Sequence, residues 1–194
     1  MKEQRSKVPI GLRSKLAAIR AMVLDVDGVL TRGDVIYTDT GVEAKAFDVK
    51  DGLGMRVAEA AGLQLALMTG RVSSVVQRRA RDLRIEEVLQ RVGDKAAALR
   101  AFAAGKDIAL EQIVFMGDDL NDLEAMRIAG VAIAPADAAA EVREEADLVT
   151  EAAGGRGAVR EAVEAVLRAQ GRWESAVSGY LKALGERDRA RRSE

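Results

Sequence analysis

The 194-residue sequence contains neither cysteine nor histidine. Without cysteine, a disulfide framework, a zinc–thiolate site and a thiol nucleophile are all excluded. Without histidine, a Ser-His-Asp relay, a histidine-ligated metal and a phosphohistidine intermediate are excluded as well. Acid–base or covalent chemistry must therefore fall mainly to Asp, Glu, Lys, Ser, Thr or Tyr. The metal that suits such side chains is a hard, oxygen-binding cation such as Mg²⁺.

The sequence also lacks an excess of charge of either sign. It has 30 Lys and Arg residues and 31 Asp and Glu residues, which give a formal net charge of -1. This balance gives no electrostatic reason to expect nucleic acid or a membrane surface as the main partner. No apolar run reaches the roughly 18 residues that a spanning helix needs. Residues 1–12 lack the apolar segment of a secretory signal. We therefore expect a soluble cytoplasmic protein with no nucleic-acid or membrane partner.

The sequence does contain short apolar, β-branched runs that alternate with amphipathic stretches, a pattern typical of a parallel sheet covered by helices. Its 194 residues, 48% of them hydrophobic, suit one domain with a sizeable core. In residues 34–48, two extended pieces flank Asp39, Thr40 and Gly41 and predict a β-hairpin. We predict strands at residues 21–26, 64–69, 87–91, 112–117, 131–134 and 147–149, and helices at residues 53–61, 72–83, 95–104, 120–129 and 157–170.

Two of the predicted strands run directly into aspartates. Asp25 and Asp27 close the first strand, and their side chains project to the same side because alternate residues of an extended chain do so. Asp118 follows a later strand, with Asp119 and Asp122 close behind it. Ligand sites in open parallel sheets lie at the carboxyl ends of the strands. Since two close carboxylates need a cation between them or a proton on one of them, the pattern indicates a metal site, a general acid, or both.

Other strands and helices begin or end with groups that suit a phosphoryl group. Thr69 can donate to a phosphoryl oxygen, and Gly70 leaves backbone N–H groups open to an anion. Lys95 stands in the first turn of a predicted helix, where its charge opposes the helix dipole, and an exposed surface lysine is the alternative. Helix capping is the alternative for the aspartates. Two acidic loops that each close an apolar strand make capping the weaker explanation.

These motifs stand in the order and context of the haloacid dehalogenase superfamily, which the chain resembles. The matching segments are residues 25–31 (Asp-Val-Asp-Gly-Val-Leu-Thr), Thr69, Lys95 and residues 117–122 (Gly-Asp-Asp-Leu-Asn-Asp), within a match over about residues 19–170. The resemblance implies a Rossmann-like three-layer α/β sandwich with a central, mostly parallel sheet and no cap domain. It also implies a Mg²⁺-dependent phosphatase that forms an aspartyl-phosphate.

The same resemblance implies a role for each site residue. Asp25 is the nucleophile, and Asp27 protonates the leaving oxygen and then deprotonates the attacking water. Mg²⁺ is held by Asp25, the main-chain carbonyl of Asp27 and Asp118. Independently of the resemblance, the position of Asp119 and Asp122 in the second acidic loop suggests that they orient the ion or its waters. Thr69 and Lys95 are expected to bind the phosphoryl group, and Gly70 is expected to contact the substrate.

Within the superfamily, the chain is similar to the small, capless phosphatases that act on 3-deoxy-D-manno-octulosonate 8-phosphate (KDO-8-phosphate). The similarity lies in residues 45–52 after the hairpin, residues 69–71 and residues 154–161. It implies a phosphorylated sugar acid as the substrate. It also implies a homotetramer in which the hairpin of one subunit helps to cover the active site of its neighbour.

One arginine lies on the apolar face of its predicted helix. Arg79 belongs to the stripe that includes Val72, Val76 and Leu83, and a guanidinium there needs an anionic partner. An internal salt bridge is one explanation. In the resembled subfamily, the arginines that match Arg79 and Arg71 contact the sugar-acid end of the substrate. We therefore predict that both bind the carboxylate of a keto-deoxy sugar acid.

Three other functions are considered. Related phosphatases for nine-carbon sugar acids carry glutamate where this chain has Arg71, although residues 120–123 are closer to those enzymes. A phosphomutase of the same fold would return the phosphoryl group to sugar, and the lack of an inserted cap counts against it. The third is a non-catalytic oligomerisation or regulatory module related to the C-terminal domains of cytidylyltransferases. Against it, every residue that the chemistry needs is present.

We divide the chain into an N-terminal extension at residues 1–17, a phosphatase domain at residues 18–171 and a C-terminal tail at residues 172–194. The tail contains the only tryptophan, Trp173, and could dock on a surface that the sequence does not identify. Residues 154–157, Gly-Gly-Arg-Gly, are interpreted either as a plain connection to the last helix or as a gate for the ligand.

Overall fold

The computed structural model describes residues 9–191, so residues 1–8 of the expected extension and residues 192–194 of the expected tail lie outside the described residues. Six parallel strands form one sheet, with a separate two-stranded hairpin. The strands are β1 (Ala21–Leu24), β2 (Ile36–Tyr37), β3 (Glu43–Ala44), β4 (Gln64–Met68), β5 (Glu87–Leu89), β6 (Ile113–Met116), β7 (Val131–Ala134) and β8 (Leu148–Val149). The helices are α1 (Ile10–Ala17), α2 (Val49–Ala60), α3 (Ser74–Leu83), α4 (Lys95–Lys106), α5 (Leu123–Ile128), α6 (Ala140–Glu145), α7 (Ala158–Ala169) and α8 (Trp173–Arg191).

The order of the strands places β1 in the interior of the sheet. The order is β5-β4-β1-β6-β7-β8, and every neighbouring pair is parallel. Leu24 pairs with Leu67 of β4 on one side and with Met116 of β6 on the other. The chain leaves β1 toward β4 and β5 and then returns past β1 to β6, which makes β1 the point where the strand order reverses. The carboxyl ends at such a point form the usual binding crevice of an open α/β sheet.

Helices cover both faces of the sheet and give the three-layer sandwich that the sequence predicts. Alternate residues of β1 enter different cores, because successive side chains of a strand point to opposite faces. Met22 packs in the core beneath α1, α2, α3, α7 and α8, whereas Val23 packs in the core beneath α4, α5 and α6. All four residues of β1 are buried, as expected of a strand covered on both sides.

The predicted hairpin lies between β1 and α2. Its strands β2 and β3 pair antiparallel, with Ile36 opposite Ala44 and Tyr37 opposite Glu43. Gly41 adopts a φ of 77° in the turn, a conformation that glycine accepts without steric cost. In the described part of the chain, the connection from β1 to α2 carries nothing larger than this hairpin. None of the helices within residues 9–191 combines the length and the apolar character required to cross a bilayer.

The structure corrects several predicted boundaries. The first strand ends at Leu24, although the Asp25 N–H still donates to the Met116 carbonyl at 2.9 Å. Helix α2 begins at Val49, four residues before the predicted start at residue 53, because Asp48 is its N-cap and accepts from the backbone N–H of Lys50. The helix predicted at residues 120–129 is a 3₁₀ turn at Leu120–Asp122 followed by the short helix α5.

Three helices within residues 9–191 were not predicted: α1, α6 and α8. Helix α8 forms most of the described C-terminal tail, and the first residue of this helix, Trp173, is buried in the same core as residues of α7. The guanidinium groups of Arg160 and Arg168 lie 4.9 and 5.3 Å from the indole centroid, within cation–π range. The first turn of the tail therefore packs on the domain.

Candidate active site

A cavity of about 290 Å³ opens where the carboxyl ends of β1, β4 and β6 meet. Most of the residues proposed from the sequence line it, and they come from segments far apart in the chain. Gly33, Val35 and Asn121 also line it and were not proposed. The predicted site residues in its wall are Asp25, Asp27, Thr69, Gly70, Arg71, Asp118 and Asp119.

Asp25 occupies the centre of this site. Its side chain is buried immediately after β1, and Oδ1 accepts a hydrogen bond from Lys95 Nζ at 2.6 Å. Burial and the charge of Asp122 raise the pKa of Asp25 to about 7, although Lys95 acts in the opposite direction. A carboxylate in this position is therefore costly to ionise unless further positive charge is present.

Three carboxylates converge at the cavity floor. One ligand oxygen from each of Asp25, Asp118 and Asp122 lies within 4.8 Å of the others. Burial, followed by the charges of Asp25 and Asp122, raises the pKa of Asp118 to about 8. Gly28 has a φ of 101°, and a Cβ there would collide with the Asp118 carboxylate, so the loop after β1 can approach only as glycine. This set of crowded oxygen donors fits a hard divalent cation such as Mg²⁺.

Lys95 and Asp122 form a buried ion pair beside Asp25. Lys95 is the first residue of α4 and only 3% exposed, so the exposed-lysine alternative is excluded. Its ammonium contacts Oδ1 of Asp122 at 2.5 Å. The pKa of Lys95 is raised overall: burial alone would lower it, but the charges of Asp25 and Asp122 outweigh that effect. The lysine therefore remains charged.

The other carboxylate oxygen of Asp122 organises the loop after β6. Its Oδ2 accepts the backbone N–H groups of Asp118 at 3.0 Å and Asp119 at 3.3 Å. A Cβ at Gly117 would collide with this side chain, so the loop requires glycine there. Asp119 itself is exposed and caps the following turn by accepting from the Leu120 N–H at 2.8 Å. Asp122 thus positions both Lys95 and Asp118, while Asp119 fits the capping alternative.

The loop after β4 supplies hydrogen-bonding groups to the opposite wall. Thr69 is buried, and its Oγ1 accepts the Arg71 N–H at 3.2 Å. Its backbone N–H donates to the Leu89 carbonyl at 2.9 Å, which extends the sheet by one residue. The half-exposed Arg71 pairs with Glu43 of the hairpin at 3.0 Å. The guanidinium that was assigned to the substrate is therefore held by a carboxylate of the protein.

The hairpin also reaches Asp27. Lys45, the residue directly after β3, donates to Oδ1 of Asp27 and lies 3.4 Å from Glu43 Oε1. The second oxygen of Asp27 is buried and has no hydrogen-bond partner in the described chain. Lys45 stands in one of the family-like stretches, but its sequence context gave it no role.

The comparisons with known proteins agree with this geometry. Residues 83–162 match the family model described as haloacid dehalogenase-like hydrolase. The 3-deoxy-D-manno-octulosonate 8-phosphate phosphatase of Escherichia coli (strain B / BL21-DE3) is 39% identical over 169 residues, which cover 87% of this chain and 90% of the relative. The chain belongs to this phosphatase family.

Two solved structures of the family are similar in fold. The 3-deoxy-D-manno-octulosonate 8-phosphate phosphatase of Moraxella catarrhalis, in complex with magnesium ion, phosphate ion and KDO, superposes with a TM-score of 0.85 at 38% identity, covering 88% of this chain and 98% of that one. The cobalt-bound enzyme of Haemophilus influenzae gives a TM-score of 0.81 at 36% identity, covering 86% and 99%. The predicted superfamily, subfamily and fold are thereby confirmed.

Arg79 does not line the cavity of this family member. Its guanidinium donates to the Asp48 carbonyl at 3.2 Å and lies 5.5 Å from the centroid of the Phe47 ring. Its Nε is buried without a partner in the described chain. The apolar stripe correctly placed this side chain inward, yet the partners are a carbonyl and an aromatic ring rather than a carboxylate. Contact with substrate stays a prediction for Arg79.

The glycine-rich loop of the phosphatase packs directly on the loop after β1. The Gly155 N–H donates to the Val29 carbonyl at 2.9 Å, and a Cβ at Gly154 would collide with the Gly28 carbonyl. The buried Asp51 of α2 holds the next turn by accepting the N–H groups of Gly157 at 3.1 Å and Arg160 at 2.8 Å. Residues 45–52 and 154–161, two segments that resemble the subfamily in sequence, therefore contact each other. This close packing supports a bracing role for the connection.

Proposed function

We propose that this chain is a Mg²⁺-dependent phosphatase that hydrolyses KDO-8-phosphate to KDO and inorganic phosphate. The observation that carries the proposal is the buried Asp25 carboxylate, which bonds Lys95 and lies in one acidic cluster with Asp118. The relatives named above, at 36–39% identity, support the choice of substrate.

The residues present suit the metal. Asp25, the main-chain carbonyl of Asp27 and Asp118 would hold Mg²⁺, and Asp122 would keep the Asp118 loop in place through its backbone N–H groups. Bound Mg²⁺ would neutralise the repulsion between the nucleophilic carboxylate and the phosphoryl oxygens. The pKa values of Asp25 and Asp118, raised by burial and then by neighbouring carboxylates, support this assignment because a bound cation would favour the charged form of both groups.

The first half-reaction transfers the phosphoryl group to the protein. A carboxylate oxygen of Asp25 attacks phosphorus while the bond from phosphorus to the sugar oxygen breaks. Asp27 gives its proton to that leaving oxygen. Lys95 and Thr69 hold the remaining phosphoryl oxygens, which carry the charge of the transition state. The products are the free sugar acid and an aspartyl-phosphate.

The second half-reaction returns the protein to its starting state. The Asp27 carboxylate, now deprotonated, takes a proton from a water molecule whose oxygen attacks the phosphorus. The bond between phosphorus and the Asp25 oxygen breaks, and inorganic phosphate leaves. Asp27 ends the cycle protonated and Asp25 ends it as a carboxylate, so protons and charges balance over the two steps.

We propose that Arg71 binds the carboxylate at the sugar-acid end. It lines the cavity, and its present partner, Glu43, offers the same chemical group that the substrate would bring. The substrate carboxylate would then replace Glu43 on the guanidinium. An arginine at this position also supports KDO-8-phosphate over the nine-carbon sugar acids, whose phosphatases are expected to carry glutamate there.

We further propose the homotetramer expected from the sequence, in which each hairpin covers a neighbouring site. The support is an apolar surface on the hairpin and on the start of α2, where side chains that normally avoid water are exposed. Tyr37 is 64% exposed and Val49 is 81% exposed. The other members of this surface are Val35, Ile36, Val42 and Leu53. The cytoplasmic location also stays a prediction.

A screen of phosphate release tests the proposal. The metal-free protein is assayed with KDO-8-phosphate, a nine-carbon sugar-acid 9-phosphate and a hexose 6-phosphate, before and after Mg²⁺ is added. We expect release of inorganic phosphate only with Mg²⁺ and the highest kcat/KM for KDO-8-phosphate. A higher kcat/KM for the nine-carbon substrate would identify that alternative. Transfer to a second sugar without phosphate release would indicate a mutase, and no turnover would indicate a non-catalytic module.

A further inference from the structure

Lys45 is a buried lysine that the proposed chemistry has not used. Its side chain is 1% exposed, although it directly follows β3, a short strand of the hairpin. Burial of an ammonium group is costly unless it is paired and hydrogen-bonded. Both of its acidic partners belong to the site: Asp27 lines the cavity, and Glu43 bonds Arg71.

The contact with Lys45 makes the two oxygens of Asp27 unequal. Oδ1 is bonded to the lysine, whereas Oδ2 is buried and has no hydrogen-bond partner in the described chain. A buried polar atom without a partner is rare in folded proteins and requires an explanation. An oxygen that exchanges a proton with the reacting group in each half-reaction is such an explanation, because its partner would be present only when substrate is bound.

We propose that Lys45 is a positioning residue, which holds Oδ1 of Asp27 so that Oδ2 faces the leaving oxygen and later the attacking water. The inference rests on the proposed function, in which Asp27 is the general acid and base. The lysine fixes the side-chain rotamer of Asp27 from the hairpin side, while the backbone of the loop after β1 fixes its Cα. Proton transfer depends on such placement because the donor must lie within hydrogen-bonding distance of the acceptor.

The same network links the chemistry to substrate recognition. Glu43 contacts both Lys45 at 3.4 Å and Arg71 at 3.0 Å, so one hairpin carboxylate joins the positioning lysine to the proposed carboxylate-binding arginine. The hairpin therefore contributes a side chain to the geometry of the reacting groups within its own subunit. This contribution is separate from the cover that it would provide to a neighbour.

The test compares substrates that differ in their need for a proton on the leaving group. An aryl phosphate such as p-nitrophenyl phosphate releases a stable phenolate, whereas KDO-8-phosphate releases an alkoxide that must be protonated. We expect Lys45→Met to lower kcat/KM for KDO-8-phosphate by about 10–100-fold and to change kcat/KM for the aryl phosphate by less than about threefold. We expect kcat to fall for both substrates, because the later water attack also uses Asp27. Lys45→Arg, which keeps a charged donor, should recover part of the loss.

A purely structural role predicts a different result. If Lys45 only stabilised the hairpin, Lys45→Met would lower kcat/KM equally for the two substrates, and that outcome would overturn the inference. If Lys45→Met does not fold, Lys45→Gln is measured by the same criterion. Lys15→Met is the matched control, since Lys15 pairs with Asp147 at 3.0 Å away from the cavity. Lys15→Met should leave kcat/KM unchanged for both KDO-8-phosphate and the aryl phosphate.

Asp27→Asn separates failure of the inference from failure of the proposed function. If Asp27 is the general acid, this variant selectively loses kcat/KM for KDO-8-phosphate, while its kcat falls for both substrates. Selective loss in Asp27→Asn together with equal losses in Lys45→Met would reject the role of Lys45 alone. Equal losses of kcat/KM for the two substrates in Asp27→Asn would reject the assignment of Asp27 as general acid, and with it the basis of the inference.

Discussion

Lys95 donates to Asp25 at 2.6 Å although the two residues are 70 positions apart in the chain. The contact depends on the sheet, because Asp25 follows β1 while Lys95 begins the helix after β5. At the start of α4, the charge of Lys95 opposes the helix dipole, so local helix stability does not explain it. The two buried carboxylates of Asp25 and Asp122 do, because together they keep the ammonium charged.

Replacement of this lysine should affect both stability and turnover. Lys95→Met leaves Asp25 and Asp122 close together without their shared cation, which should lower the free energy of unfolding by about 3 kcal/mol. Urea denaturation at neutral pH measures this change, and phosphate release should fall by at least about 100-fold. Lys106→Met, at the other end of α4, removes only a surface pair with Glu87 and should cost about 1 kcal/mol or less. Similar losses in both variants would contradict the role of Lys95.

The stability of the metal-free protein should fall as the pH rises. Folding raises the pKa of Asp25 from 3.8 to about 7 and that of Asp118 from 3.8 to about 8. The folded state therefore binds more protons than the unfolded state, and the contribution of these groups is present below about pH 4 and is lost as the pH rises through 7–8. Urea midpoints measured between pH 5 and pH 8 in chelator test this direction.

Mg²⁺ should reverse that loss. At about one hundred times its dissociation constant, a ligand of the folded state adds about 2.7 kcal/mol to stability. We expect this gain in stability at pH 8 for the parent protein and a much smaller gain for Asp118→Asn. Without metal, the stability of Asp118→Asn should also fall less steeply as the pH rises. Equal stabilisation of the parent and the variant by Mg²⁺ would place the ion elsewhere.

Gly154 should not tolerate a side chain. Gly154→Ala places a methyl group against the Gly28 carbonyl, which must shift the loop that carries Asp27. We expect a loss of about 1–3 kcal/mol in the free energy of unfolding, typical of overpacking, and a reduced kcat. Gly105→Ala in α4 is the control, because nothing lies within 4 Å of the added Cβ. Unchanged stability in Gly154→Ala would mean that the two loops can separate freely.

Arg71 should affect substrate affinity more than turnover. Arg71→Ala removes the proposed partner of the sugar-acid carboxylate, so KM for KDO-8-phosphate should rise about tenfold, as for the loss of one charged hydrogen bond of about 1.5 kcal/mol. KM for p-nitrophenyl phosphate, which has no carboxylate, should stay the same. Arg79→Ala is measured in parallel to test its predicted contact. An unchanged KM for KDO-8-phosphate in either variant would remove that arginine from substrate recognition.

The sequence predicted the sheet and the acidic loops because both follow from short-range patterns. Buried parallel strands read as apolar runs, and their carboxyl ends meet at one edge, so Asp25 and Asp118 could be expected to converge. Helix α1 was missed because only Leu12 and Leu16 are buried, too few for an apolar periodicity.

The partners of individual side chains could not be predicted from local patterns. Helical periodicity placed Arg79 inward, but it could not reveal the Asp48 carbonyl on a neighbouring element as its acceptor. Asp122 was expected near the metal, and its bond to Lys95 depends on how α4 packs against the 3₁₀ turn at Leu120–Asp122. Lys45 directly follows a two-residue strand, and that strand is too short for alternation to show which side chains face inward. The partners of these three side chains depend on contacts between segments that are distant in the chain.

Trapping the covalent intermediate tests the central claim most directly. Asp27→Asn, which should slow the water attack, is mixed with Mg²⁺ and p-nitrophenyl phosphate, quenched in acid and sequenced by mass spectrometry. We expect one phosphoryl group on Asp25, and none in Asp25→Asn, whose turnover should fall by about 10³-fold or more. A phosphoryl group on any other residue, or near-native turnover by Asp25→Asn, would contradict the account.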